Sequence, residues 1–346
     1  MVECTLLQSL HDHEERVWCV CWDYTGKFLA SCGGDRVILI FVRQDDNWTR
    51  RWKLDKGHSR SVRCVCFSPC GKYLASASFD GAVVIWKLEE DEWEEYARLE
   101  GHENEVKAVA WSPSGQYIAS CSRDKSVWVW QVDEEEDFEC CSVLTNHNQD
   151  VKSVVWHPTE DILASCSYDN TVRVYGWEVE DFVESQTLAG HDSTVWSVAF
   201  SPDGHALASV SADCSLKVWH KTDPGAASFV TGLFSGNKGK KSAWRCGSTT
   251  TGAHSQPIYS VHWSPEWDLL ATAGGDNSIV LYRCQLAGSS GDSVGQGQPN
   301  VSQLHRLAQA HDQDVNCVRF NAKRPGLMAS CGDDGLIKLW SIAAPL

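Results

Sequence analysis

Short apolar runs, alternating or nearly so, recur along the chain, and each is closed by a cluster of turn formers. Val62-Arg63-Cys64-Val65-Cys66-Phe67 and Ala82-Val83-Val84-Ile85-Trp86 are two such runs, separated by turn residues such as Ser68-Pro69-Cys70-Gly71. A two-residue period between Gly, Pro, Asn and Asp clusters predicts β-strands. The pattern therefore predicts an all-β chain.

The strands come in repeats. His13, His58, His102, His147, His191, His254 and His311 are each followed, 22 residues on (23 in the last case), by Asp35, Asp80, Asp124, Asp169, Asp213, Asp276 and Asp334. Four residues before each Asp stands a hydroxyl: Ser31, Ser76, Ser120, Ser165, Ser209, Thr272 and Ser330. Six residues after each Asp stands an aromatic: Phe41, Trp86, Trp130, Tyr175, Trp219, Tyr282 and Trp340. The His-to-His steps are 45, 44, 45, 44, 63 and 57 residues. That period is the length of one four-stranded propeller blade, so the 346 residues read as a single seven-bladed ring with two insertions. Thr5 to Leu10, strand-like and ahead of the first His, predicts a ring closed by the N-terminal strand joining the last blade, which removes free sheet edges.

Composition narrows the function. Thirty Lys and Arg against 46 Asp and Glu give a formal charge of −16, which argues against a direct nucleic-acid partner. No apolar stretch is long enough for a membrane span, and charge near the N-terminus argues against a signal peptide. The 16 Cys are expected as reduced thiols of a cytoplasmic protein, with a nuclear pool as a further expectation.

Candidate chemistry is thin. Seven His, each with an Asp and a hydroxyl, imitate catalytic triads, but an active site occurs once and this set recurs in every repeat. The Cys19-x-Cys21 and Cys64-x-Cys66 pairs lie at equivalent strand positions and lack paired zinc-ligand spacing; Cys32, Cys121, Cys166 and Cys331 share one position, where Cys serves as a small buried apolar residue. A redox or metal role is left for an exposed few, such as Cys140, Cys246 or Cys284. Phosphate loops and dinucleotide fingerprints are lacking, so no enzyme and no cofactor is expected.

With these residues in place, the chain resembles the WD40 family along almost its whole length. Its His, Ser, Asp and Trp sets look like that family's structural tetrad: His58, Ser76, Asp80 and Trp86; His102, Ser120, Asp124 and Trp130; His191, Ser209, Asp213 and Trp219. Where Phe41, Tyr175 and Tyr282 replace Trp, a looser tie is expected. The resemblance also implies which end of the ring binds partners, since the loop before the innermost strand and the turn holding the Asp open on one end. That end collects Arg16, Arg63, Lys107, Arg123 and Lys152 beside Trp18, Phe79, Tyr168, Trp196 and Tyr259, the residue types in which binding hot spots are enriched. The opposite end carries acidic runs, Glu89 to Glu92, Asp133 to Asp137 and Glu178 to Asp181, expected as solvated loops. The insertions, about 223–243 and 287–302, read as flexible linkers between third and outer strands of blades five and six.

Longer segments narrow the resemblance. FSPCGKYLASASFD from Phe67, LEGHENEVKAVAWSPSG from Leu99, SRDKSVWVWQVDEEED from Ser122 and LASCSYDNTV closely resemble the WD40 subunits of the cytosolic iron-sulfur protein assembly (CIA) targeting complex. This implies a non-enzymatic scaffold that helps deliver clusters to cytosolic and nuclear apo-proteins. The implied partners are a helical-repeat subunit, a small subunit with a reactive cysteine, a hydrogenase-like cluster carrier and apo iron-sulfur client enzymes. It also implies a surface role for Arg123, which sequence position singles out independently, because no other repeat puts a base directly before its Asp. The rival expectation is a WD40 substrate receptor of a ubiquitin ligase or chromatin complex.

Overall fold

In each repeat, four short strands return on one another through tight turns, so each pairs with its sequence neighbour. The computed structural model describes residues 2–45, 47–222, 243–265, 268–286 and 298–343. Within them, 28 strands form seven four-stranded antiparallel sheets. The innermost strands, Val17–Trp22, Val62–Phe67, Val106–Trp111, Val151–Trp156, Val195–Phe200, Ile258–Trp263 and Val315–Phe320, stand side by side in chain order and close into a ring. The molecule is a seven-bladed β-propeller. Closure is as expected: Glu3–Leu10 is the outer strand of blade seven, antiparallel to Ile337–Ala343, with Glu3 opposite Ala343 and Leu10 opposite Ile337.

The second strand of each blade is sandwiched between neighbouring sheets and is buried almost throughout, as in Tyr73–Ser78 and Ala206–Ser211. Blade-to-blade seams are tied by small polar side chains at the third position of the inner strands. Cys317 donates to the Val20 carbonyl, Cys19 to Val65 and Cys64 to Val109, at 3.7, 3.9 and 3.7 Å, while Ser197 and Ser260 accept from the Val261 and Val318 amides. A thiol fits such a seam because it is small and apolar yet still offers a weak donor. Cys32, Cys121, Cys166 and Cys331 are fully buried as expected, but Cys284 is buried too, packed between blades five and six, and Cys70 is exposed with Cys140 and Cys246.

Within each blade the tetrad is a relay. Trp86 Nε1 donates to Ser76 Oγ at 2.9 Å, Ser76 Oγ meets His58 Nε2 at 2.8 Å, and His58 Nδ1 meets Asp80 at 3.0 Å. The same bonds run through Trp130, Ser120, His102 and Asp124, and through Trp219, Ser209, His191 and Asp213. A neutral imidazole with Nδ1–H facing the carboxylate satisfies every group. Burial alone would raise Asp80, but the His58 hydrogen bond and charge, with the Ser59 and Ala82 amides, hold it well below the usual carboxylate range. For Asp213 the balance falls at about 2. Burial pushes His191 and His311 below the ordinary imidazole value. In blade four the Tyr175 hydroxyl stands in the indole's place at 3.4 Å from Ser165, and in blade one Phe41 offers no donor.

The expected insertions, about 223–243 and 287–302, fall mostly on residues of which the structure says nothing. Residues 223–242 and 287–297 lie outside the described residues, but Ala243 already opens the outer strand Ala243–Thr250, and Asn300 to Ser302 belong to the outer strand Asn300–Leu307.

Candidate functional site

The candidate binding residues lie where three short segments of each blade meet. Directly before the Asp, the backbone N–H donates to the carbonyl three residues after the His. This gives Gly34 to Arg16, Phe79 to Ser61, Arg123 to Glu105, Tyr168 to Asp150, Ala212 to Thr194, Gly275 to Pro257 and Asp333 to Asp314. Both loop positions are therefore pinned side by side at one end of the ring.

The third position, five after the His, is aimed by a β-bulge. In every inner strand the pairing register skips one residue: Val62 faces Ser78 and Cys64 faces Ala77, leaving Arg63 unpaired. The same slip leaves out Trp18, Lys107, Lys152, Trp196, Tyr259 and Asn316. Bulges break the alternation of faces and re-aim a side chain. Here seven of them turn a ring of side chains toward the channel mouth.

The ring is knitted by stacked cations. Arg16 and Arg63 lie 5.2 and 5.0 Å from the Trp18 ring, Lys107 4.1 Å from Phe79, and Lys152 5.3 Å from Tyr168 and 5.0 Å from Trp196. Trp18 meets Phe79 at 6.4 Å, and Trp196 meets Tyr259 edge-on at 5.4 Å. Two arms result, one over blades one to three and the other over blades four to six. Among the described residues the Trp18 and Trp196 indole N–H groups have no partner, so the face keeps two sheltered donors to spare.

Charge on this end is partly neutralised within the fold. Arg123 is exposed and sits 3.3 Å from Glu105, which Arg60 also reaches at 3.2 Å. Arg16 pairs with Asp333 at 3.1 Å, Lys152 with Asp150 at 3.3 Å, and the Tyr259 hydroxyl donates to Asp314 at 3.2 Å. Burial works to raise Glu105, but its own amide, Lys107, Arg123 and Arg60 hold it below the usual range. Arg123 thus stands exposed beside its acid. Arg60 joins the site at 6.0 Å from Phe79 and was not among the sequence candidates. Its signal was available: two after the His, only blade two carries a base.

At the other end, the turns between third and outer strands carry the acidic runs, as antiparallel four-stranded blades require. There, Glu136 pairs with Lys87 of the preceding blade at 3.0 Å. Among the described residues no helix is long and apolar enough to cross a membrane.

A closed ring of seven four-stranded blades with a tetrad in most of them defines a repeat propeller. The family model of the WD domain, G-beta repeat, matches seven times, over residues 4–41, 49–87, 93–131, 138–176, 182–220, 244–283 and 302–341, and the chain belongs to the WD40 family. It is 55% identical over 332 residues, 96% of this chain and 95% of the relative, to the probable cytosolic iron-sulfur protein assembly protein CIAO1 of Rattus norvegicus. The human protein of the same name is 49% identical over 107 residues, 31% of this chain and 30% of its own length. The Xenopus tropicalis one is 46% identical over 115 residues, 33% of each.

Proposed function

We propose that this chain is a non-enzymatic scaffold of cytosolic iron-sulfur protein assembly, working in the cytoplasm and on nuclear clients. The observation that carries the reading is the 55% identity to the rat assembly protein along nearly the whole of both chains. The proposed partners are those of a targeting complex: a helical-repeat subunit, a small reactive-cysteine subunit, a hydrogenase-like carrier and apo client enzymes. The face of Arg123, Arg63, Lys107 and Lys152, with Trp18, Phe79, Tyr168, Trp196, Tyr259 and Arg16, receives an acidic segment whose neighbouring apolar side chain lies against Trp196, Tyr168 or Tyr259.

Arg123 suits this role because its planar fork grips a carboxylate at two points, which an ammonium does not. Its present bond to Glu105 is exposed, and such surface pairs contribute at most about 1 kcal/mol, so a partner's carboxylate displaces it at little cost. The test is a quantitative pull-down from cell extract with wild type and Arg123→Glu, both shown folded by thermal melting. Assembly factors and iron-sulfur clients held by wild type and reduced at least tenfold on the variant are the expected result. Equal retention refutes the role of Arg123, and recovery of ligase or chromatin subunits in their place refutes the function.

A further inference from the structure

Below the loop face, the central channel holds a cation that the face does not use. The fifth residue of each inner strand lines the channel: Cys21, Cys66, Ala110, Val155, Ala199, His262 and Arg319. None of them is acidic. Arg319 Nη1 donates to Ser260 Oγ at 3.1 Å and to the Val318 carbonyl at 2.9 Å, both neutral, and among the described residues no carboxylate pairs with its guanidinium. Ser260 Oγ is already occupied by the Val318 amide at 3.2 Å.

The neighbouring imidazole adds a donor, not a base. His262 Nδ1 accepts from the Phe320 amide at 3.2 Å, so the neutral ring carries its proton on Nε2. Burial, with Arg319 beside it, pushes His262 down to about 3, so at neutral pH it adds no charge. Arg319 and His262 are only partly accessible, and a cation held so without a counter-charge, with a second donor beside it, leaves the site with more N–H donors than acceptors.

We propose that the channel between blades six and seven binds a chloride-sized inorganic anion, held by the Arg319 guanidinium and the His262 Nε2–H. The site is separate from the loop face and does not depend on the scaffold reading. The anion supplies the missing charge and braces the seam beside the closing blade.

The direct test is crystallisation in bromide: an anomalous peak within hydrogen-bond reach of Arg319 is expected. In solution, chloride raises the melting temperature over gluconate at equal ionic strength, by about 2 °C per tenfold increase above its dissociation constant. Arg319→Met loses that difference. Absence of bromide at Arg319, or an equal chloride effect in wild type and variant, overturns the proposal. So does thiolate absorbance at neutral pH that depends on Arg319 with no bromide bound, since it would place the counter-charge on Cys66 or Cys64, the thiols that Arg319 helps draw down.

Discussion

Lys107 shows how one side chain records the character of the loop face. It lies over Phe79, half-buried between the cations of neighbouring blades. Burial lowers it to about 8, and Lys152 and Arg63 add to the fall against the pull of Glu105. The free protein therefore sheds this proton as pH rises through about 8, and binding of an acidic partner restores it to Lys107. Affinity for such a partner is expected to drop across that pH. Titration calorimetry in buffers of different ionisation enthalpy is expected to register proton uptake at about pH 8.5 and almost none at 6.5. Lys107→Arg flattens the profile, because guanidinium stays charged throughout.

At the scale of an element, the tetrad makes the cost of losing a hydroxyl depend on the blade. Ser209 receives the Trp219 indole N–H and meets His191, so Ser209→Ala strands two buried polar groups, at about 2 kcal/mol. Ser31 meets His13, while the aromatic of that blade is Phe41, so Ser31→Ala strands one and costs about 1 kcal/mol. Urea unfolding of the two variants under identical conditions checks the order. Equal losses would mean that the indole bond contributes nothing.

For the whole molecule the deciding feature is closure by the N-terminal strand. Deleting residues 2–10 bares the edge of Ile337–Ala343 and leaves blade seven with three strands. Every blade packs on two neighbours, so a gap at one seam is expected to replace a single sharp melt by a broad one and to drive association through the exposed edge. Differential scanning calorimetry and light scattering after size exclusion read both effects. A monomer with an unchanged melt would show that the ring does not need its clasp.

Periodicity alone determined the strands, the spacing of His, Ser, Asp and Trp determined seven blades, and the strand-like Thr5 to Leu10 ahead of the first His determined the closing strand. These are legible because each is a local or evenly repeated demand: a pleated strand alternates, and a buried relay tolerates only residues that satisfy it. The face of the ring was legible as a list of positions through the resemblance to WD40 proteins, which implies that these loops share an end. How that list is joined was decided by the tertiary structure. The alternating pattern gives no sign of the bulge that turns Trp18, Arg63, Lys107 and Lys152 toward the channel mouth, because one extra residue leaves the apolar count unchanged. Likewise, Glu105 beside Arg123, Asp333 beside Arg16, and Arg319 on the Ser260 hydroxyl bring together groups from different strands or blades. Charge pairing depends on distance in space, and only the closed ring sets that distance.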